Sequence, residues 1–177
     1  MMNVPVYTII ALVATAVPVL ADDPPPLDTS AGPLRVQTVA SGLDEPWAIG
    51  FLPGGAFVIT ERGGQMNHYT APGAAPTRVQ GLPEVVVDGQ GGLLDVMIPR
   101  DFATSREVWL SYVVRQDGGE GTAVGKGILS ADGTKLGNFT LLFQIPPGSS
   151  GGRHFGARLV EAADGTVFLT VGDRGTG

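Results

Sequence analysis

The feature that most constrains this chain is one strand–turn–strand design that recurs three times. Ile49–Glu61 reads as an apolar run, a Pro53-Gly54-Gly55 turn and a second apolar run, Phe57-Val58-Ile59, followed by Thr60. Leu159–Val171 repeats it around Asp164-Gly165, ending in Phe168-Leu169-Thr170-Val171. Between them, Val96–Phe102 and Glu107–Tyr112 repeat it with a longer connection. The copies start 47 and 63 residues apart, at Ile49, Val96 and Leu159. Hairpins that recur at roughly 40–50 residues, with uneven loop insertions, are the pattern of propeller blades. Any β-rich chain can yield such hairpins, so a sandwich or barrel stays open at this point.

The remaining punctuation agrees with short strands. The chain has 177 residues, with 27 glycines and 14 prolines, roughly twice the ordinary share of about 12% for the pair. Leu34–Val39 alternates with period two, Val108–Val114 is β-branched and aromatic, and Leu141–Ile145 stops at Pro146-Pro147. Each is expected to be a strand, as are Phe57–Thr60 and Val167–Val171. No helical periodicity separates them. The expected class is all-β.

At the N-terminus, Val4–Leu20 is apolar and uncharged and ends in Val19-Leu20-Ala21. That is the pattern of a secretory signal peptide over residues 1–21, although Met1-Met2-Asn3 supplies no Lys or Arg. The alternative is an uncleaved anchor, for which seventeen residues with two prolines are marginal. Cleavage implies a periplasmic or secreted protein with no stable membrane span. Residues 22–33, rich in Asp and Pro, read as a flexible leader, and the folded domain is expected over 34–177.

The formal net charge is −6, and the eleven basic residues form no run. This argues against a nucleic-acid partner, which needs concentrated positive charge. The absence of cysteine removes disulfides, thiolate metal sites and cysteine nucleophiles. No phosphate loop, dinucleotide fingerprint, nucleophile elbow or paired-histidine zinc motif occurs.

Three glycine-rich segments carry the candidate chemistry. His154 stands in Gly151-Gly152-Arg153-His154-Phe155-Gly156, where glycines permit unusual backbone angles and close approach of a ligand. Its imidazole can accept a proton at neutral pH. Asp173, in Gly172-Asp173-Arg174-Gly175, follows a strand, where a carboxylate can hold a histidine in one tautomer or merely close the turn. Gln90, in Gly89-Gln90-Gly91-Gly92, has an amide able to donate and accept, or is a polar turn residue. The other histidine, His68, reads as structural or solvent-facing on a strand.

These segments stand in one order with Gly42-Leu43-Asp44-Glu45-Pro46-Trp47-Ala48 and Thr60-Glu61-Arg62 ahead of them. Together they resemble the soluble glucose/sorbosone dehydrogenase family, especially its aldose sugar dehydrogenase branch. The resemblance implies a six-bladed β-propeller carrying pyrroloquinoline quinone (PQQ), with calcium bridging cofactor and protein. It implies oxidation of aldose sugars to lactones, with electrons passed to an external acceptor. His154 is implied as general base, Asp173 as the acid that orients it, and Gln90 and Arg158 as cofactor-pocket residues. Arg153 stands where the glucose-specific branch has an acid, which points toward broader aldose use. A full propeller needs about twice this length. About the first three blades are therefore expected, as in a truncated copy, with the calcium ligands in later blades and no metal ligand assigned here. The alternatives are a non-catalytic extracellular propeller-type binding module and an inactive fragment.

Overall fold

In the computed structural model, residues 24–175 are described; the signal-peptide expectation for residues 1–21 lies outside them. Two four-stranded antiparallel sheets and the inner half of a third make up the body. The first contains β3 (Pro46–Phe51), β4 (Phe57–Glu61), β5 (Gln65–Tyr69) and β6 (Thr77–Arg78), and the second contains β7 (Leu93–Met97), β8 (Glu107–Gln116), β9 (Gly119–Leu129) and β10 (Leu136–Gln144). The third begins with β11 (Leu159–Glu161) and β12 (Val167–Leu169). Each sheet is a meander whose strands pair in sequence order. Ahead of them, β1 (Leu27–Thr29) and β2 (Gly32–Leu34) form a small exposed hairpin within the stretch read as leader.

The recurring hairpins are the first two strands of each sheet: β3–β4, β7–β8 and β11–β12. In the first, Leu52 donates its N–H to Ala56 O at 2.8 Å across the Pro53–Gly55 turn. In the second, a single helical turn, α1 (Phe102–Ser105), fills the connection and buries Phe102. Each second strand carries, within it or just after it, a hydroxyl residue with a repeated role. Thr60 and Ser111 each accept a backbone N–H from their own sheet's first strand, and Thr170 accepts one from the residue just before its sheet's first strand; the donors are Ala48, Asp95 and Arg158, at 3.0–3.2 Å. Thr60 and Ser111 also donate to the next sheet, at Leu94 O (2.6 Å) and Ala157 O (2.7 Å). One hydroxyl thus serves as a peg within a sheet and between sheets, and this radial repetition is that of propeller blades.

Between the first two blades lies the main core, built on Val58, Met66, Leu93, Val96, Val108 and Leu110. Met97, Val124 and Leu159 form a smaller cluster between the second and third. The outer faces of the arc differ: Trp47, Ile49 and Phe51 on β3, and Val160 and Phe168 on β11 and β12, are exposed. The alternating run Leu34–Val39 does not continue as a strand beyond Leu34. Instead Val39 packs on the Phe57–Ile59–Tyr69 cluster, and its carbonyl accepts the Gly73 N–H. Period-two alternation is present there, but burial of Val39 and capture of its carbonyl by a loop replace a strand partner.

Replacing Ser111 by Ala removes a buried hydroxyl that serves Asp95 N–H and Ala157 O. Leaving buried backbone groups unpaired costs about 1–3 kcal/mol. Urea unfolding of Ser111→Ala should show a loss of that size at unchanged m-value; unchanged stability would contradict the peg.

Candidate active site

The site is assembled from three loops that follow or precede inner strands. The first runs from Asp88 to Gly92, just ahead of the fully buried β7. The second runs from Gly148 to Gly156, between β10 and β11, and the third from Val171 to Gly175 after β12. Each loop is too rich in glycine to pair regularly, so its place depends on specific hydrogen bonds.

The structure brings His154, Asp173 and Gln90 together. His154 Nδ1 lies 2.6 Å from Asp173 Oδ1, and the His154 backbone N–H donates to Gln90 Oε1 at 2.8 Å. Both side chains of the His154–Asp173 pair are half exposed. A carboxylate can only accept, so neutral His154 carries its proton on Nδ1 and presents a bare Nε2. Asp173 Oδ1 also accepts the Gly175 N–H at 2.8 Å, which fixes the carboxylate in its own turn. Asp173 Oδ1 thus both closes its own turn and contacts His154.

Backbone contact between loops requires glycine at two places. Gly89 has φ +52, and a Cβ there would lie 2.2 Å from Gly152 O. That carbonyl accepts the Gln90 N–H at 2.7 Å, which locks the first loop to the second. A Cβ on Gly172 would lie 2.2 Å from His154 O, so only glycine lets the third loop reach the second. His154 itself holds φ +53, a left-handed conformation uncommon for a residue with a Cβ.

Arg158 is not in this hydrogen-bonded set. Its Nη1 donates to Asp95 Oδ1 at 2.8 Å, while most of the side chain stays exposed. Asp95 is 2% exposed, and its other oxygen accepts Leu159 N–H at 2.7 Å. Burial raises the Asp95 carboxyl above its ordinary range, opposed by the Leu159 N–H and by Arg158. Asp95 thus ties the second blade to the third and aims Arg158. His68 is buried on β5, with its imidazole pushed below its ordinary range by burial and by Arg106.

Sequence reasoning missed several supporting residues. Arg62 makes two bonds to the Glu45 carboxylate (2.8 and 2.6 Å) and donates to Gly89 O (3.0 Å) and Gly91 O (3.1 Å). It therefore clamps the Gln90 loop. Thr122, deep in β9, donates to Phe155 O at 2.8 Å. Arg62 and Glu45 lie in the two N-terminal motifs quoted above, which signalled their presence but not their task. Thr122 carries no such signal.

The groups that could contact a flat, polycarboxylated quinone are the half-exposed His154 and the exposed Gln90, which the structure joins beside a glycine-rich wall, and separately the exposed length of Arg158. Among the described residues, no group of three or more His, Asp or Glu side chains could hold a metal ion.

Asp95 gives a pH prediction. Its folded value lies above its ordinary one of 3.8, so its ionisation in the folded state is disfavoured. Its contribution to stability is present below pH 3.8 and is lost as pH rises through the folded value. Asp95→Asn should therefore gain on the parent as pH rises through that window, in paired urea titrations. A difference that stays flat with pH would contradict the assignment.

Comparison with known proteins fits this geometry. The Glucose / Sorbosone dehydrogenase family model matches residues 43–177. The chain is 44% identical over 142 residues to the aldose sugar dehydrogenase YliI of Escherichia coli, covering 79% of this chain and 38% of that protein. The crystal structure of the soluble aldose sugar dehydrogenase from Escherichia coli, in its apo form, superposes with TM-score 0.72 at 43% identity, over 79% of this chain and 41% of that one. The PQQ-bound aldose sugar dehydrogenase from Streptomyces coelicolor shares the fold, with TM-score 0.70 at 24% identity, over 78% and 41%. The chain spans about two fifths of the length of these relatives. Two blades and the inner half of a third in that span scale to six. The chain belongs to the glucose/sorbosone dehydrogenase family of β-propellers.

Proposed function

We propose that this chain carries the proton-accepting part of an aldose dehydrogenase site, which oxidises aldoses to lactones and passes the electrons to an external acceptor. The observation that carries the reading is His154 with Nδ1 held at 2.6 Å by Asp173 and its backbone held by Gln90. PQQ, when bound, supplies the two-electron acceptor for the hydride that leaves the anomeric carbon. His154 Nε2 takes the proton of the anomeric hydroxyl, and the carbon–oxygen bond becomes the lactone carbonyl. Asp173 stabilises the imidazolium that results and keeps the ring turned. Gln90, with Oε1 committed to His154, directs its amide nitrogen as a donor. Arg158, held by Asp95, would offer positive charge to an anionic group of the bound cofactor. Arg153, exposed beside His154, leaves no acid there to select glucose, which supports use of a broader set of aldoses. Calcium would be held by residues other than those described.

Purified protein supplied with PQQ and calcium should reduce a dye acceptor when an aldose is added. His154→Ala should lower that rate by about 10²–10⁴-fold, the usual worth of a general base. Reduction that survives His154→Ala, or none with any aldose, contradicts the reading.

The apolar run Val4–Leu20 and the small residues around Ala21 support export to the periplasm or beyond, where an external acceptor is within reach. N-terminal sequencing of exported protein should begin at Asp22; an intact Met1 would contradict it.

A further inference from the structure

Arg174 takes no part in the proton transfer described above, yet it is 9% exposed and its donors converge on one place. Nε donates to Ser149 Oγ at 3.0 Å and Nη1 to Arg153 O at 2.7 Å. Nη2 reaches Ser149 O at 3.3 Å and Glu120 O at 3.4 Å. The guanidinium carbon lies 3.6 Å from the centre of the Phe155 ring. Arg174 therefore grips both chain neighbours of His154, through the Arg153 carbonyl and the Phe155 ring. It also joins the His154 loop to β9, where Glu120 and Ser149 exchange backbone hydrogen bonds at 3.0 and 3.1 Å. In sequence it adjoins Asp173, the partner of His154 Nδ1.

Two backbone angles make such a clamp necessary. His154 holds φ +53 and Arg174 holds φ +61, and residues with a Cβ stay in that region only when their surroundings over-determine them. No regular strand surrounds either residue. A planar fork of fixed donors suits this task, since one rigid group meets several acceptors and stacks on a ring together. A lysine would supply a single point of charge. The buried Glu120 Oε2, without a hydrogen-bond partner among the described residues, adds negative potential near the guanidinium.

We propose that Arg174 is the positioning residue that holds His154 and Asp173 in register for proton transfer. The proposal rests on the reading of His154 as the base. It separates the two halves of the Asp173-Arg174 pair: one residue touches the imidazole, while its neighbour fixes the loop from which the imidazole projects.

The test compares the full chain with Arg174→Ala and Arg174→Lys. Hydrogen exchange of the backbone amides is the first readout, because it needs no cofactor. In Arg174→Ala, exchange at His154 and Ser149 should rise by about tenfold or more, while Val113, in the core, stays protected. Guanidinium at sub-denaturing concentration should restore the slow exchange, and Arg174→Lys should not. Turnover is the second readout: kcat for an aldose should fall by about 100-fold, the worth of a misplacement of roughly 1 Å, with KM little changed. Guanidinium should recover it. Unchanged exchange at His154, exchange that rises equally at Val113, or loss that guanidinium cannot restore would each overturn the proposal. Absence of turnover in the parent chain would instead overturn the proposed function, and the exchange readout would still decide the role of Arg174.

Discussion

The loop from Gly151 to Gly156 carries His154 but belongs to no strand, and everything at the candidate site depends on how its backbone is pinned. Gly152 O accepts from Gln90 N–H, His154 N–H donates to Gln90 Oε1, Arg153 O accepts from Arg174, and Phe155 O accepts from Thr122. Four consecutive residues are thus held from three directions. Each such bond contributes only about 0.5–1.5 kcal/mol net. Their value lies in direction: together they fix the backbone from which the half-exposed imidazole reaches Asp173.

The same device operates one level up. Thr60 and Ser111 each tie a second strand to its own first strand and to the next blade. The inner strands from which the site loops spring are thereby fixed relative to one another. Asp95 extends this to the third blade through Leu159 N–H and Arg158. Loops on a rigid scaffold can carry chemistry because the scaffold absorbs the cost of holding them. Here many of the links between blades and between loops use one chemistry, side chain to backbone carbonyl or N–H.

Much of this was legible in the sequence, for physical reasons that can be named. The hairpins were visible because β-branched runs flank Gly and Pro turns. His154 and Asp173 stood out as a candidate pair because glycines isolate them from regular structure. The longest strand, β9, was not visible. Its Gly121, Gly125 and Gly127 lower strand propensity, yet Gln116, Phe139 and Leu136 lie so close that a Cβ would meet them at 2.2–2.7 Å. Packing between β8 and β10 overrides propensity there. Leu34–Val39 failed in the opposite sense, with the right alternation but with Val39 packed on a side-chain cluster and its carbonyl bonded to a loop N–H. Arg158 makes its side-chain bond to Asp95, a partner which no spacing rule reveals. Arg62 and Arg174 read as ordinary motif letters because their work is done on carbonyl groups, which leave no trace in residue type.

The central claim is that Asp173 holds His154 with its proton on Nδ1, leaving Nε2 bare for substrate. Nitrogen-15 NMR of the histidine ring in the folded protein at neutral-to-alkaline pH reads this directly. The account predicts a protonated Nδ1 and an unprotonated Nε2 for His154. A ring with its proton on Nε2, or one averaging between the two forms, would contradict it.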